Sequence, residues 1–316
     1  ERIEGYRNFA NKIWNAARFA HMYLDGAQEA RPPKDRSFPD RWILGRLNKT
    51  IQDIDKALEA YRFDQAASVL YQFFWHEYCD WYLELIKPIL QDPAHPEGPS
   101  TRHTLSETLE VWLRLLHPFM PFLSEEIWQT LPHQGETITT QIYPKPRPEW
   151  EAEEAEVDFG YLHQFVMTAR TMRALLSYPP GKTISVLGNA QTLRALKALQ
   201  QNHHYITHLG RLDLKLLPID QWSSKNVLQW AIGSLTIGVL VEGDVDLNKV
   251  LTRIGKERGE KVNEATRIQS KLGNNEFRGK APSEVITEHE LRLQVLNRER
   301  EQLVSSEQQL RAMLGA

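Results

Sequence analysis

The sequence is poor in cysteine and has no long apolar run. Its 316 residues include a single cysteine, Cys79, which excludes a disulfide framework or a thiolate metal site within the chain and suits a reducing compartment. No stretch of 18 consecutive apolar residues occurs, and a transmembrane helix needs about that length. We therefore expect a soluble, cytoplasmic protein without a membrane partner.

The sequence also has no excess of positive charge. It carries 38 Lys and Arg against 41 Asp and Glu, a formal net charge of −3, so any nucleic-acid binding must rest on local charge. The first residue, Glu1, already lies inside an amphipathic helical pattern without a capping residue before it. We expect the chain to be a piece of a longer protein.

Three regions follow one another in a mainly helical chain. Residues 1–145 have apolar residues at helical spacing, in four or five helices with short loops, which is typical of a helical bundle. A Pro-rich and then acidic segment, residues 144–156, marks the next boundary, and short strand and helix patterns in residues 146–246 predict a small α+β module. Residues 247–316 predict two charged helices and a hairpin, an antiparallel two-helix coiled coil that projects as an arm.

Individual residues also have local roles that the pattern predicts. We expect Asp64 and Ser124 to cap helices, Gly233 and Gly238 to bend strands, and Ile13 and Trp14 to lie in the core. The pair His204 and His208, spaced by four residues, has no third metal ligand nearby, so we interpret it as surface histidines flanking a turn.

No catalytic motif stands out in the sequence. Lys182 and Thr183 follow Gly181, but a phosphate-binding P-loop needs another glycine five residues earlier, and Leu176 occupies that position. Neither a paired-carboxylate nor a Ser/His/Asp arrangement can be identified. We predict no catalytic residue, no metal ligand and no cofactor in this chain.

Positive charge is concentrated near the start of the predicted arm. Residues 248–280 carry nine Lys and Arg against four Glu, and five of the basic residues share one helical face. These five, named the basic stripe, are Lys249, Arg253, Lys256, Arg267 and Lys271. Such a stripe suits a nucleic-acid backbone, whose phosphates exchange counterions for Lys and Arg. The alternative is a solvated flank of a coiled coil.

Six segments resemble the C-terminal part of the valyl-tRNA synthetases, a family of class I aminoacyl-tRNA synthetases. In the bundle they are Tyr6–Phe19 (YRNFANKIWNAARF), Asp40–Asn48 (DRWILGRLN), Glu77–Pro88 (EYCDWYLELIKP) and Leu116–Trp128 (LHPFMPFLSEEIW). In the arm they are Lys271–Phe277 (KLGNNEF) and Lys280–Ile286 (KAPSEVI). The resemblance implies an anticodon-binding bundle and a tRNA-binding arm.

The resemblance also implies what lies outside this chain. The full-length enzyme activates valine with ATP, transfers it to tRNA(Val), and edits mischarged threonine because an apolar pocket rejects such an isostere poorly. Neither class I ATP-site signature, His-Ile-Gly-His or Lys-Met-Ser-Lys-Ser, occurs in the chain. We therefore expect recognition of tRNA here and catalysis in another domain of the same polypeptide.

The first helix carries the candidate anticodon contacts. Asn15, Arg18 and Phe19 fall in the block that resembles the family, and amides, guanidinium planes and aromatic rings read unstacked bases. Alternatively, Phe19 is a core residue and Arg18 a salt-bridge partner. Two other functions stay open at this stage: a helical interaction module that docks a protein, and a free-standing relative of the synthetase tail without ligase activity.

Overall fold

The computed structural model describes residues 2–24, 35–222, 226–243 and 245–315. The chain divides into two compact units, Glu1–Phe159 and Gly160–Ala316. The boundaries predicted from the sequence, after residues 145 and 246, stay predictions. Within the described ranges, every helix is too short or too polar to cross a membrane.

Helices form nearly all of the first unit, as the sequence predicts for a bundle. Its helices are α1 (Arg2–Leu24), α2 (Phe38–Glu59), α3 (Phe63–Gln72), α4 (Leu83–Gln91), α5 (Gly98–Leu116) and α6 (Pro121–Trp128). A π-helical segment, Phe73–Tyr82, joins α3 to α4. The helix α7 (Glu153–Leu175) begins in this unit and continues into the second.

The core of the first unit is rich in aromatic side chains. Trp42 on α2 and Trp112 on α5 are buried, and the ring of Trp112 stacks on Phe74 of the π-helical segment with 3.9 Å between ring centroids. Buried rings of this size remove a large apolar area from water and prefer offset-stacked or tilted contacts. This core therefore holds the π-helical segment against α5.

Two predicted helix caps are wrong. The helix α3 begins at Phe63, so Asp64 lies in its first turn, where it pairs with Arg62 at 3.2 Å. The helix α6 begins at Pro121, because proline is well suited to the first helical position. Ser124 is therefore inside α6, and its buried hydroxyl donates to the Met120 carbonyl at 2.8 Å.

A four-stranded sheet forms the centre of the second unit. Its strands are β1 (Ile184–Ala190), β2 (Leu212–Leu216), β3 (Val227–Ile232) and β4 (Leu235–Leu240), in the spatial order β2-β1-β4-β3. The strands β1 and β2 are parallel, with Ile184 opposite Leu212, and the other two pairs are antiparallel. The helices α8 (Leu193–Gln201) and α9 (His203–Gly210) connect the parallel pair, as a parallel crossover requires.

Of the two glycines predicted to bend strands, one does so. Gly233 has a φ of +55° in the turn between β3 and β4, a conformation that favours glycine. Gly238 lies inside β4 and does not bend the strand. A Cβ at Gly238 would stand 2.7 Å from the ring of Trp222, so this glycine makes room for a packed indole.

The arm consists of two antiparallel helices. These are α10 (Leu247–Gly273) and α12 (Ser283–Gly315), separated by the short α11 (Asn275–Lys280) where the sequence predicts only breaks. Their ion pairs run in opposite directions along the two helices, from Arg258–Glu307 through Lys261–Glu299 to Arg292–Glu264. The seam buries Ile254, Ala265 and Ile268 of α10 and Leu296, Leu303 and Leu310 of α12.

Candidate nucleic-acid interface

The helix α1 has one buried face and one exposed face. Ile13 is fully buried, as predicted, together with Ala16 and Ala20. The opposite side, which we name the α1 face, consists of the exposed residues Arg7, Asn11, Trp14, Asn15, Arg18 and Met22. Its guanidinium, amide and indole groups are the types that contact unpaired bases.

The prediction that Trp14 lies in the core is wrong. Its side chain is 45% exposed. Trp14 lies three residues after Asn11 and four before Arg18, and residues at these spacings share one face of a helix, so Trp14 belongs to the exposed face. Trp14 is thus a candidate for base stacking that the sequence reasoning missed.

The three predicted anticodon contacts lie close together but differ in exposure. Asn15 and Arg18 are exposed, and neither has a hydrogen bond or ion pair with any residue that the structure describes. Phe19 is half-buried and packs on Tyr23, with 5.1 Å between ring centroids. The geometry leaves Asn15 and Arg18 open for a ligand, whereas Phe19 also stabilises the helix.

Contacts between aromatic rings fix the position of α1, and with it the α1 face. Phe9 lies against Tyr71, Trp75 and Trp112, with ring centroids 4.9–6.4 Å away. Lys12 Nζ pairs with Asp80 at 2.8 Å and lies 4.9 Å from the centroid of the Trp75 ring. Because these contacts join α1 to the π-helical segment, the α1 face is presented on a well-packed helix.

All five residues of the basic stripe are exposed on α10. Lys249 Nζ is 3.5 Å from Asp246, and Arg253 Nη1 donates to Ser177 Oγ at 2.8 Å. Lys256, Arg267 and Lys271 have no ion pair in the described part of the chain. Each of these three side chains is available to an external anion.

The other basic residues of α10 have a different role. Arg258 pairs with Glu307 at 2.9 Å and Lys261 with Glu299 at 2.7 Å, both across the seam to α12. Their half-buried position lets them link the two helices. The helix therefore separates its cations into those that pair with α12 and those that face solvent.

The basic stripe is interrupted in the middle by an acid. Glu260 is exposed and lies four residues after Lys256 and seven before Arg267, so it falls on the same face. Lys256 and Arg267 are about 16 Å apart along the helix axis at 1.5 Å per residue. The stripe thus forms two clusters, one near the sheet and one near the hairpin.

Histidine, cysteine and acidic side chains are the usual metal ligands. Among the described residues, no group of three or more His, Cys, Asp or Glu side chains is arranged to hold a metal ion. His204 and His208 are exposed, as predicted, and lie on α9, which has turn residues, Asn202 and Arg211, at its two ends. Burial raises the pKa of the Cys79 thiol to about 12, which leaves very little reactive thiolate.

Comparison with known proteins identifies two domain families. Residues 40–187 match the anticodon-binding domain of tRNA ligases, and residues 246–311 match the tRNA-binding arm of valyl-tRNA synthetases. The second match contains the whole basic stripe. The α1 face precedes the first match.

Curated relatives extend over nearly the whole chain. The valine–tRNA ligase of Carboxydothermus hydrogenoformans is 37% identical over 308 residues, which is 96% of this chain and 34% of the relative. The valine–tRNA ligase of Bacillus subtilis is 36% identical over 290 residues, 91% of this chain and 33% of the relative. The chain spans about a third of the length of these relatives.

Proposed function

Because the chain belongs to the valine–tRNA ligase family as its C-terminal, tRNA-binding part, we propose that it binds tRNA(Val) through two surfaces. The α1 face contacts unpaired bases of the anticodon loop, and the basic stripe contacts the backbone of the tRNA elbow. One observation carries the proposal: the stripe is exposed and unused in helix pairing, within the segment that matches a tRNA-binding arm.

The stripe is suited to binding through charge. Each Lys or Arg that neutralises a phosphate releases condensed counterions, which makes the affinity fall as salt rises. Lys256, Arg267 and Lys271 need to break no ion pair with a described residue before they bind. Phosphate contacts orient an RNA but carry no sequence identity, so the stripe supplies affinity and position.

The α1 face is suited to reading bases. The bases of an unpaired loop stack on aromatic or guanidinium planes and bond through their edges, and Trp14, Asn15 and Arg18 offer an indole, an amide and a guanidinium to solvent. In this proposal, the α1 face therefore determines which tRNA the chain selects.

The full-length protein joins valine to tRNA(Val) at the expense of ATP in this proposal. ATP and valine bind to the rest of the polypeptide, and the present chain contributes no cofactor. Discrimination against threonine by editing belongs to that remaining part as well, because a small apolar pocket distinguishes valine from threonine poorly.

The alternative of a protein-docking module receives less support. A coiled coil that docks protein needs an unpartnered apolar face, whereas α10 presents cations outward and directs Ile254 and Ile268 into the seam with α12. The relatives described above are all named as valine–tRNA ligases.

The test replaces the three stripe residues without ion pairs, Lys256, Arg267 and Lys271, by Gln. If all three contact phosphates, the slope of log K against log salt for tRNA(Val) should fall by roughly two to three. Discrimination between tRNA(Val) and another tRNA should not change. Binding is measured with the purified chain by fluorescence anisotropy from about 50 to 200 mM salt.

The matched control removes three exposed cations elsewhere in the second unit, by Lys197→Gln, Lys215→Gln and Arg298→Gln. The two variants lose the same net charge. Equal salt slopes for the variants would show that overall charge, and not the stripe, governs binding. If the tRNA affinity of the wild-type chain does not change with salt concentration, the proposal is refuted.

A further inference from the structure

A buried guanidinium joins two connections at the edge of the sheet. Arg173 on α7 is only 6% exposed, and it donates to the backbone carbonyls of Pro179, Lys182, Gly210 and Arg211. The bond to Gly210 measures 2.5 Å and that to Arg211 3.0 Å. Arg173 therefore ties the loop before β1 to the residues before β2.

These hydrogen bonds hold together two segments that each carry an exposed cation. Lys182 lies in the loop before β1, two residues ahead of Ile184, and Arg211 directly precedes β2. The two strands are parallel and in register from Ile184 and Leu212 onward. Arg211 Nη1 lies 3.5 Å from the position that a Cβ would take at Gly181, the neighbour of Lys182.

Positive charge accumulates around this point. Burial lowers the pKa of Arg173, and repulsion from Arg211 and Arg170 lowers it further. Lys182 Nζ lies 4.5 Å from the centroid of the Tyr178 ring. In the described part of the chain, Lys182 and Arg211 have no ion pair with a carboxylate. A group of like charges, as Arg170, Arg173 and Arg211 form here, is stabilised by a bound anion.

The same loop touches the first cluster of the basic stripe. Ser177 accepts the 2.8 Å hydrogen bond from Arg253, and an open groove lies between the loop and the start of α10. Ser177, Tyr178, Lys182 and Lys249 are among the residues that line it.

The groove also contains two acids, Glu242 and Asp246. The carboxylate of Asp246 accepts from the Lys249 backbone N–H at 3.1 Å and lies 3.5 Å from Lys249 Nζ, so it is engaged in capping α10. Glu242 is exposed. The groove is thus lined by two lysines, Lys182 and Lys249, and two acids, of which Asp246 is already paired with Lys249.

We propose that Lys182 and Arg211 form a second phosphate-contact site, and that an RNA backbone held by Lys249 and Arg253 continues across the groove onto it. This inference rests on the proposed function. It assigns RNA binding to the sheet-containing module and not to the arm alone. The ligand is a phosphodiester backbone, because the site adjoins a segment that matches a tRNA-binding arm.

The test compares two double variants with equal charge loss. Lys182→Gln with Arg211→Gln removes the proposed site, and Lys197→Gln with Lys215→Gln removes two other exposed cations of the same unit. For tRNA(Val), the first should lower the slope of log K against log salt by about one to two relative to wild type. The control should change the slope of log K against log salt by less than about 0.5, which is half the contribution of one phosphate contact.

Thermal unfolding accompanies the binding measurement. Both double variants should unfold at the same temperature as the wild type because the replaced side chains are exposed. If Lys182→Gln/Arg211→Gln unfolds at a lower temperature, the single variant Lys182→Gln is used in its place, since that side chain makes no hydrogen bond to a described residue. The single change should then lower the slope by about one.

The outcomes separate this inference from the proposed function. If wild-type binding depends on salt and the stripe variant weakens it, but the Lys182 and Arg211 variant behaves as its control, the second site is refuted and the proposed function stands. If the wild type shows no salt-dependent tRNA binding, the proposed function fails first. A slope reduction specific to Lys182 and Arg211 supports the second site.

Discussion

The indole N–H of Trp230 on the edge strand β3 donates to the buried hydroxyl of Ser306 on α12 at 2.7 Å. One turn further along α12, the amide of Gln309 accepts from the Gln229 backbone N–H at 2.7 Å and donates to the Gln229 carbonyl at 3.0 Å. The helix thereby satisfies backbone groups of an edge strand, which otherwise invite pairing with another chain. The second helix of the arm is thus also part of the sheet's support.

Replacing Ser306 by alanine should destabilise the second unit. The buried Trp230 N–H loses its acceptor, and a buried unsatisfied donor costs about 1–3 kcal/mol. Urea unfolding followed by tryptophan fluorescence measures the change. Gln308→Ala, at an exposed position on the same turn, serves as the control, and an equal effect of the two changes would contradict the role of this hydrogen bond.

Replacing Arg173 by methionine should cost about 2–4 kcal/mol of unfolding free energy, because four carbonyls lose a charged donor at once. Methionine keeps the apolar volume of the stem, so the loss isolates the guanidinium. Calorimetry of the purified chain gives the shift. Arg211→Gln is the comparison, since it removes a neighbouring charge and keeps the four bonds; similar melting of both variants would argue against the tie.

The carboxylate of Asp40 makes stability depend on pH. It is fully buried and accepts from Tyr82 Oη and Thr101 Oγ1, each at 2.9 Å. Burial raises the pKa of Asp40 above its ordinary value of 3.8, and the hydrogen bonds from the surrounding hydroxyls offset part of the rise. A raised pKa means that the folded state binds the proton more tightly than the unfolded state, so ionised Asp40 lowers stability at neutral pH.

We therefore expect Asp40→Asn to stabilise the chain relative to wild type at neutral pH, and this advantage to shrink as the pH falls toward 3.8. Denaturant unfolding at several pH values, with the exposed Asp53→Asn as the control, measures the difference. An advantage for Asp40→Asn that grows on acidification has the wrong sign for a raised pKa and would falsify the assignment.

Changes on the α1 face should weaken binding of the anticodon stem-loop. Loss of a stacking partner costs about 1–3 kcal/mol per base, so Trp14→Ala and Arg18→Ala are each expected to reduce affinity, and Asn15→Ala to relax base preference. Phe19→Ala should lower stability as well, because that ring packs on Tyr23.

Binding of the isolated anticodon stem-loop of tRNA(Val) is the measurement for these variants, and Lys56→Ala on the exposed side of α2 is the control. If Arg18→Ala and Phe19→Ala both bind as the wild type does while the chain stays folded, the anticodon contacts lie elsewhere in the molecule.

Periodicity predicted the helical content well. Four or five helices were expected in residues 1–145, and α1 to α6 lie there, because a repeating apolar pattern reflects a buried face. Helix starts were less predictable. Pro121 begins α6 ahead of the expected cap at Ser124, and α11 forms where Gly and Asn residues indicated only a turn.

The sequence by itself determined the mainly helical class, the family and the basic stripe, since these depend on residue order and spacing along one helix. Only the tertiary structure decided which cations form ion pairs with α12, as Arg258 and Lys261 do, and which remain exposed. It also brought together Arg173, Lys182 and Arg211, which are separated in sequence by up to 38 residues. Charge and packing act through distances in space, and distances between remote residues arise only when the sheet and helices assemble.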